Sequence, residues 1–441
     1  MVSKKSVIVI LCSILSLWPE IMPAQDMWSL ERCIEHAHRS NLQIKQQKVA
    51  ASQFENNVQQ AKLDFIPSFN ASVNHSMNWG KSVNINDLQI TNKLTQSTSA
   101  NLSASMPLIQ GLTKINTLKS SKIELLISRN DVEKLENDIT IAITQAYLQT
   151  LLAAEIEKCA EATLKSTEGQ VARTQKLVDA GSQAYSSLLE IQAQLANDRL
   201  QLVSAGNDLK NNRLNLMQLL DLPVGSSFNI EIPDMEDIAQ RLPVGNIDEI
   251  FRSAQSLPQI KSAELALEKS RYDYKIQRGR AYPSISFSAG YGTYYSDSRE
   301  QAFFSQFDDN RNPSIGFSMS IPIFNGWSTN TAIRNARLNI ERSELELEKS
   351  HQQLYKEIAQ AYNNAENAYE KYSAAEKNVA AARESFVYTE QKFNVGMVTG
   401  IEYVVAKNNL FKSESESLQA KFQYIFQMKI LDFYRGVPIK L

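Results

Sequence analysis

Residue patterns in this chain recur at one long offset that slips by a single residue. Gln43-Ile44 returns as Gln259-Ile260, and Pro67-Ser68-Phe69 as Pro283-Ser284-Ile285, both 216 residues later. Met106-Pro107-Leu108-Ile109-Gln110-Gly111 returns as Ile321-Pro322-Ile323-Phe324-Asn325-Gly326, 215 residues later. Gln145-Ala146-Tyr147 (again as Gln360-Ala361-Tyr362), Gly181 (as Gly396) and Pro223 (as Pro438) keep that second offset. Solenoid repeats have periods of roughly 20–50 residues, so this is a duplicated half and not an array. The fold must therefore be built from two equivalent units in one chain, expected at residues 25–245 and 246–441.

Each half has the same order of elements. A helix of about 35 residues comes first, expected over Leu30–Phe65 and again over Ile247–Tyr282. Two strands follow, then a very long helix, a glycine turn and a further long helix. The long helices are expected at Leu112–Val178 and Thr329–Asn394, with no proline inside either. With 15 Gly and 12 Pro in 441 residues, helix breakers are scarce. At 1.5 Å per residue each long helix spans about 100 Å, deeper than a globular core. Such helices must pack side by side. Ile358, Tyr362, Ala365, Tyr369 and Tyr372 fall at the four-three spacing of a coiled-coil seam, and the first half carries Ile143, Tyr147, Thr150 and Ala154 there. The tips of the two hairpins are expected near residues 179–186 and 394–401.

The strands alternate almost without exception. From Ser68, one face reads Ser68, Asn70, Ser72, Asn74, Ser76, Asn78. The other reads Phe69, Ala71, Val73, His75, Met77, Trp79. Ala100, Leu102, Ala104, Met106 and Leu108 form one face of the second strand. The second half repeats the pattern with Ile285, Phe287, Ala289 and Tyr291, then with Ile315, Phe317, Met319, Ile321 and Ile323. Strands are expected at 68–79, 98–108, 284–295 and 313–323. A soluble sheet would pack its apolar face on a core. A membrane barrel turns that face to lipid and its Ser, Asn and Gly face to a wet lumen. Strands of about 9–12 residues fit a tilted membrane strand, and Trp79, Tyr294 and Tyr295 stand at strand ends where interfacial aromatics belong. The polar loops Lys81–Ser97 and Asp297–Asn312 are expected on the outer side. Four strands cannot close a barrel, since the smallest have about eight. The chain must oligomerise.

The N-terminus reads as a secretory signal over residues 1–24. Lys4 and Lys5 precede a short apolar core, Val7 to Trp18, and a cleavage region ends at Ala24. No apolar run after it is long enough to be expected as a membrane helix, which takes about 20 residues. A net charge of −2 gives no footprint for nucleic acid. Cys33 and Cys159 lie on separate expected helices without metal-ligand spacing. His36 and His38 are two apart and do not share a helix face. No catalytic group, metal or cofactor site is expected.

The whole span after the signal resembles the TolC family of outer-membrane efflux proteins. The resemblance rests on the duplication, the proline-led strand pairs, the exits Pro107–Gly111 and Pro322–Gly326, and the turns Val178-Asp179-Ala180-Gly181-Ser182-Gln183-Ala184 and Phe393-Asn394-Val395-Gly396-Met397-Val398-Thr399. It implies a mainly α fold with a transmembrane β-barrel, in which a homotrimer shares twelve strands above a coiled-coil helical barrel. The location implied is the outer membrane of a Gram-negative bacterium, with strands in lipid and helices in the periplasm. The tips, at Gly181, Ser182, Gly396, Met397, Val398 and Thr399, would meet a periplasmic adaptor, which also contacts an inner-membrane transporter that supplies the energy. Counting from Gly396, the family's acidic constriction falls on Glu402 and Val405, so only one acid is kept. Glu190 is acidic at the first-half position equivalent to Val405, and Ser187 matches Glu402. Three copies of Glu402 would form a carboxylate ring that attracts cations. Phe393 is expected to add an apolar constriction.

Two other classes compete. A secreted structural coiled coil would leave the alternating strands unexplained. A passive porin would not need helices of this length.

Overall fold

The structure, a computed structural model, describes residues 27–83, 90–223, 225, 228–233 and 246–441. The expected signal lies outside them. Elements follow in chain order. The first half holds β1 (Met27–Trp28), α1 (Leu30–Ser40), α2 (Leu42–Leu63), β2 (Ser68–Val83), β3 (Ile90–Gln110), α3 (Thr113–Asp179), α4 (Tyr185–Leu219) and β4 (Asn229–Ile230). The second holds α5 (Ile247–Ala254), α6 (Pro258–Gly279), β5 (Ser284–Ser296), α7 (Phe303–Asp309), β6 (Asn312–Ser320), α8 (Ser328–Asn394) and α9 (Gly400–Tyr434).

The first helix of each half is broken once. Asn41 ends α1, and its side-chain oxygen accepts from the backbone of Gln43 and Ile44, which starts α2. In the second half Pro258 opens α6, where its missing N–H costs nothing. α3 and α8 have 67 residues each. Both end on a left-handed glycine.

The chain divides into two compact units. One contains Gln46–Leu135 and Gln255–Tyr355, and so the four-stranded sheet. Its strand order is β2-β3-β5-β6, antiparallel throughout. Ser68 pairs with Ser105 and Val83 with Ile90, so the ladder runs well into the expected 81–97 loop. Pro107 lies inside β3, not at its end. The register shifts between Pro107 and Ile109, and this bulge accommodates a residue that cannot donate to the ladder. β6 ends at Ser320, before Pro322. At the β3–α3 corner Gly111 has φ +54°, and a Cβ there would collide with the Gly279 carbonyl oxygen. Only glycine lets the two backbones approach so closely.

Among the described residues, most of the sheet's apolar face is left uncovered. Phe69, Val73, Leu102, Ile315, Phe317 and Met319 all stand on one face, and each is more than half exposed. Serines and asparagines occupy the other face, where Ser68 and Ser76 bond across to Ser105 and Ser97.

The other unit comprises the described residues through Lys45, with Glu136–Ala254 and Lys356–Leu441. Its seam on α8 is Ile358, Ala361, Ala365 and Ala368, all buried at three-four steps. Ile358 and Ala365 stand on it as expected, while Tyr362, Tyr369 and Tyr372 are only half-buried beside it. On α3, Ile143, Tyr147 and Leu151 are buried, and the Tyr147 hydroxyl lies 2.7 Å from the Glu231 carbonyl and 3.0 Å from that of Trp28. No apolar run of membrane-spanning length was expected after the signal. α3 does contain an 18-residue window of mean hydropathy 1.3, long and apolar enough to cross a membrane by composition. Half of that window is buried inside the fold, and buried Ile, Leu and Ala side chains of α3 form its packing seam.

Candidate functional site

The two hairpin tips are built alike. At the end of α3 the Gly181 N–H donates to Val178 and the Ser182 N–H to Leu177. At the end of α8 the Gly396 N–H donates to Phe393 and the Met397 N–H to Lys392. Both glycines have positive φ, +72° and +77°, with open space where a Cβ would stand. This is the Schellman stop, which satisfies the last helical carbonyls.

Their surfaces differ. Gly181 and Ser182 are exposed in a polar turn. The second tip exposes Val395 and Met397, each by more than two-thirds, while Val398 is half-buried. Thr399 caps α9. Its hydroxyl accepts from the Glu402 N–H at 3.3 Å, and the Glu402 carboxylate accepts from the Thr399 N–H at 3.1 Å. This reciprocal box satisfies two otherwise orphaned donors. The first-half equivalent, Ala184, makes no side-chain cap.

Glu402 is exposed and, with Ile401, Val405, Asn409 and Lys412, lines an open groove of about 670 Å³ between α8 and α9. Glu190 reaches α9 from α4. A Cβ on Gly400, the first residue of α9, would collide with a Glu190 carboxylate oxygen. The structure therefore brings Glu190 and Glu402 to the same helix start, where the positive end of the macrodipole favours carboxylates.

Phe393 is placed differently from a residue projecting into a lumen. It is 1% exposed and stacks on Tyr403 at 4.9 Å, in a buried cluster with Ile191. Its carbonyl accepts from the Gln183 side chain at 3.1 Å, which ties the first tip to the second.

One turn beyond Tyr403 lies a group that no local sequence pattern suggested. Lys407, on α9, places its ammonium 3.1 Å from an Asp198 carboxylate oxygen on α4, and both side chains are almost fully buried. The ammonium also donates to the Thr163 carbonyl at 3.0 Å and to the Thr167 hydroxyl on α3. Thr167 donates to Asp198, and Gln194 donates to its other oxygen at 2.6 Å. Gln194 in turn bonds Asn408. Burial pushes the Lys407 ammonium below its ordinary value, and Asp198 opposes that shift. The one sequence clue is that Gly400, Tyr403 and Lys407 share a three-four step on the packed face.

Among the described residues, no group of three or more His, Cys, Asp or Glu is gathered as metal ligands. Cys33 and Cys159 are free thiols.

Residues 33–221 and 251–432 match the model of the outer membrane efflux protein family. The chain is 23% identical to the alkaline protease secretion protein AprF of Pseudomonas aeruginosa over 320 residues, 71% of this chain and 64% of that one. The match thus spans less than two-thirds of that relative's length. Among solved structures, the fold is similar to the CmeC outer membrane channel of Campylobacter jejuni (TM-score 0.77, 16% identity, 93% of this chain and 86% of that one). It is also similar to the outer membrane protein VceC of Vibrio cholerae (TM-score 0.76, 15% identity, 92% and 96%).

Proposed function

The chain belongs to the outer membrane efflux protein family, and we propose that it serves as the outer-membrane duct of a tripartite export system. One observation carries this reading. Among the described residues, the four-stranded sheet leaves an apolar face exposed, and its outer strands β2 and β6 each have one unpaired edge. In water such a sheet would aggregate through face and edges alike. In a bilayer the apolar face is solvated by lipid, and the edges are satisfied only if the sheet closes. Three copies supply about twelve strands, within the range of closed membrane barrels. The Ser and Asn face then lines a water-filled lumen.

The helices of each copy continue the path through the periplasm. The tips around Gly181, Ser182, Gly396, Met397, Val398 and Thr399 are the docking surface for a periplasmic adaptor, with exposed Met397 and Val395 as apolar anchors. An inner-membrane transporter joined to that adaptor supplies the energy. Glu402, capped in place by Thr399 and open to a groove, forms a three-fold carboxylate ring at the entrance. Glu190 supports the ring from α4. Phe393 acts from inside the packing, by holding the end of α8 against Tyr403.

The test is the mass of the protein extracted from outer membranes in detergent. This reading expects three chains in a membrane-embedded particle. A soluble single chain overturns it.

A further inference from the structure

The outer end of the sheet is not finished by a strand. β6 pairs with β5 only as far as Asn312 opposite Gly292, while β5 continues to Ser296. The next ladder groups on that side of β5 are held by the connecting segment. The Tyr294 carbonyl accepts from the Asn310 side chain at 2.7 Å. The Ser296 N–H donates to the Gln306 side-chain oxygen at 3.0 Å, and the Ser296 carbonyl accepts from the Gln306 amide at 3.0 Å. Gln306, fully buried on α7, thus does what a neighbouring strand would do. Phe303 and Phe307 stack at 4.5 Å, and Phe303 lies 4.9 Å from Tyr295, on the apolar face. At this level the sheet order is β2-β3-β5-α7.

We infer that α7 forms a seam with the outer end of β2 from a second copy of this chain. The inference rests on the closed-ring reading above. In such a ring the element beyond β6 is the next copy's β2. β2 has 16 residues and β6 only nine, so the outer part of β2 passes beyond β6. The element it meets there is α7. Both edges carry unburied aromatics, with Phe304 on α7 82% exposed and Trp79 on β2 76% exposed. Asp308 of α7 is already paired to Arg311, but Asp309 ends the helix with an acid, and β2 carries Lys81 after Trp79. Burying both rings against each other removes apolar surface from water at the level where the strands leave the bilayer. The seam makes α7 a clamp between copies and not a loop over the lumen.

The test is disulfide trapping in a Cys33→Ala/Cys159→Ser background. Phe304→Cys is combined with Trp79→Cys. Within one chain the two positions are separated by β3 and β5, about 14 Å at ordinary strand spacing, too far for a disulfide. A control set pairs Phe317→Cys on β6 with Phe69→Cys, Ala71→Cys or Val73→Cys on β2. The seam predicts covalent oligomers from the Phe304→Cys/Trp79→Cys pair, at least tenfold above either single substitution, along with one of the control pairs. If a control pair links and the α7–β2 pair does not, the seam is overturned and the ring is kept. Quenching from the lipid phase of a label on the thiol of the Phe304→Cys variant then places α7 against lipid. If no pair links, the ring and the seam fall together.

Discussion

The ammonium of Lys407 and the carboxylate of Asp198 meet at 3.1 Å inside the fold, joining a helix of the second half to one of the first. Taking two charges out of water is costly, and their attraction repays it only with good geometry and further hydrogen bonds. Thr167 and Gln194 supply those bonds. Lys407→Met alone leaves a buried carboxylate without its cation and should destabilise by about 3–5 kcal/mol. The double variant Lys407→Met/Asp198→Asn should recover most of that loss. Thermal loss of helical circular dichroism in detergent measures both. If the two substitutions simply add, the pair is not coupled.

Alkaline pH tests the same packing. Burial pushes the Cys33 thiol up to about 12, from 9.0 in an open chain. Between those values the unfolded chain binds fewer protons than the folded one, so stability is complete below pH 9 and falls as pH rises towards 12. Cys159 is raised to about 12 in the same sense, by burial and by Glu414. Buried Tyr147 and Tyr403 act in the same direction above pH 10, and Lys407 acts against them. Comparing Cys33→Ala with the parent isolates one group. The variant should lose less stability between pH 9 and 12, and identical slopes would contradict the assignment.

Two glycines with positive φ separate backbone strain from steric exclusion. Gly396→Ala meets open space, so it costs only the left-handed conformation, roughly 1–2 kcal/mol. Gly111→Ala drives its Cβ into the Gly279 carbonyl. The yield of membrane-inserted protein should stay near the parent level for Gly396→Ala and collapse for Gly111→Ala. Equal yields would mean that the corner is not the tight approach seen here.

For the carboxylate ring, Glu402→Ala should weaken block of the pore by divalent cations while conductance is retained. Glu402→Gln keeps a side-chain oxygen able to accept from the Thr399 N–H and removes the charge, so it should weaken block equally. Unchanged block in both variants would remove Glu402 from the entrance.

Much of the sheet and most of the long helices could be read from the sequence, because period-two and four-three patterns are strong over many residues. Ser68 and Ser284 begin strands where the alternation begins. Strand ends were harder. Lys81 and the residues around Asn92 look like a polar loop, yet they pair across β2 and β3, because solvated strands need no apolar face. α7 went unread because seven residues cannot display helical periodicity, and Gln306 gives no sign of its four hydrogen bonds. The glycine stops were plain, since φ above zero leaves a composition mark. Lys407 and Asp198 were not, because each resembles any charge on a solvated helix face until three helices surround it.

A chain that forms a water-filled path through a membrane must conduct ions. Single-channel recording of the purified protein in a planar lipid bilayer should show stable, discrete conductance steps of uniform size. A protein that inserts stably and never conducts, with the tips removed or intact, would contradict such a path.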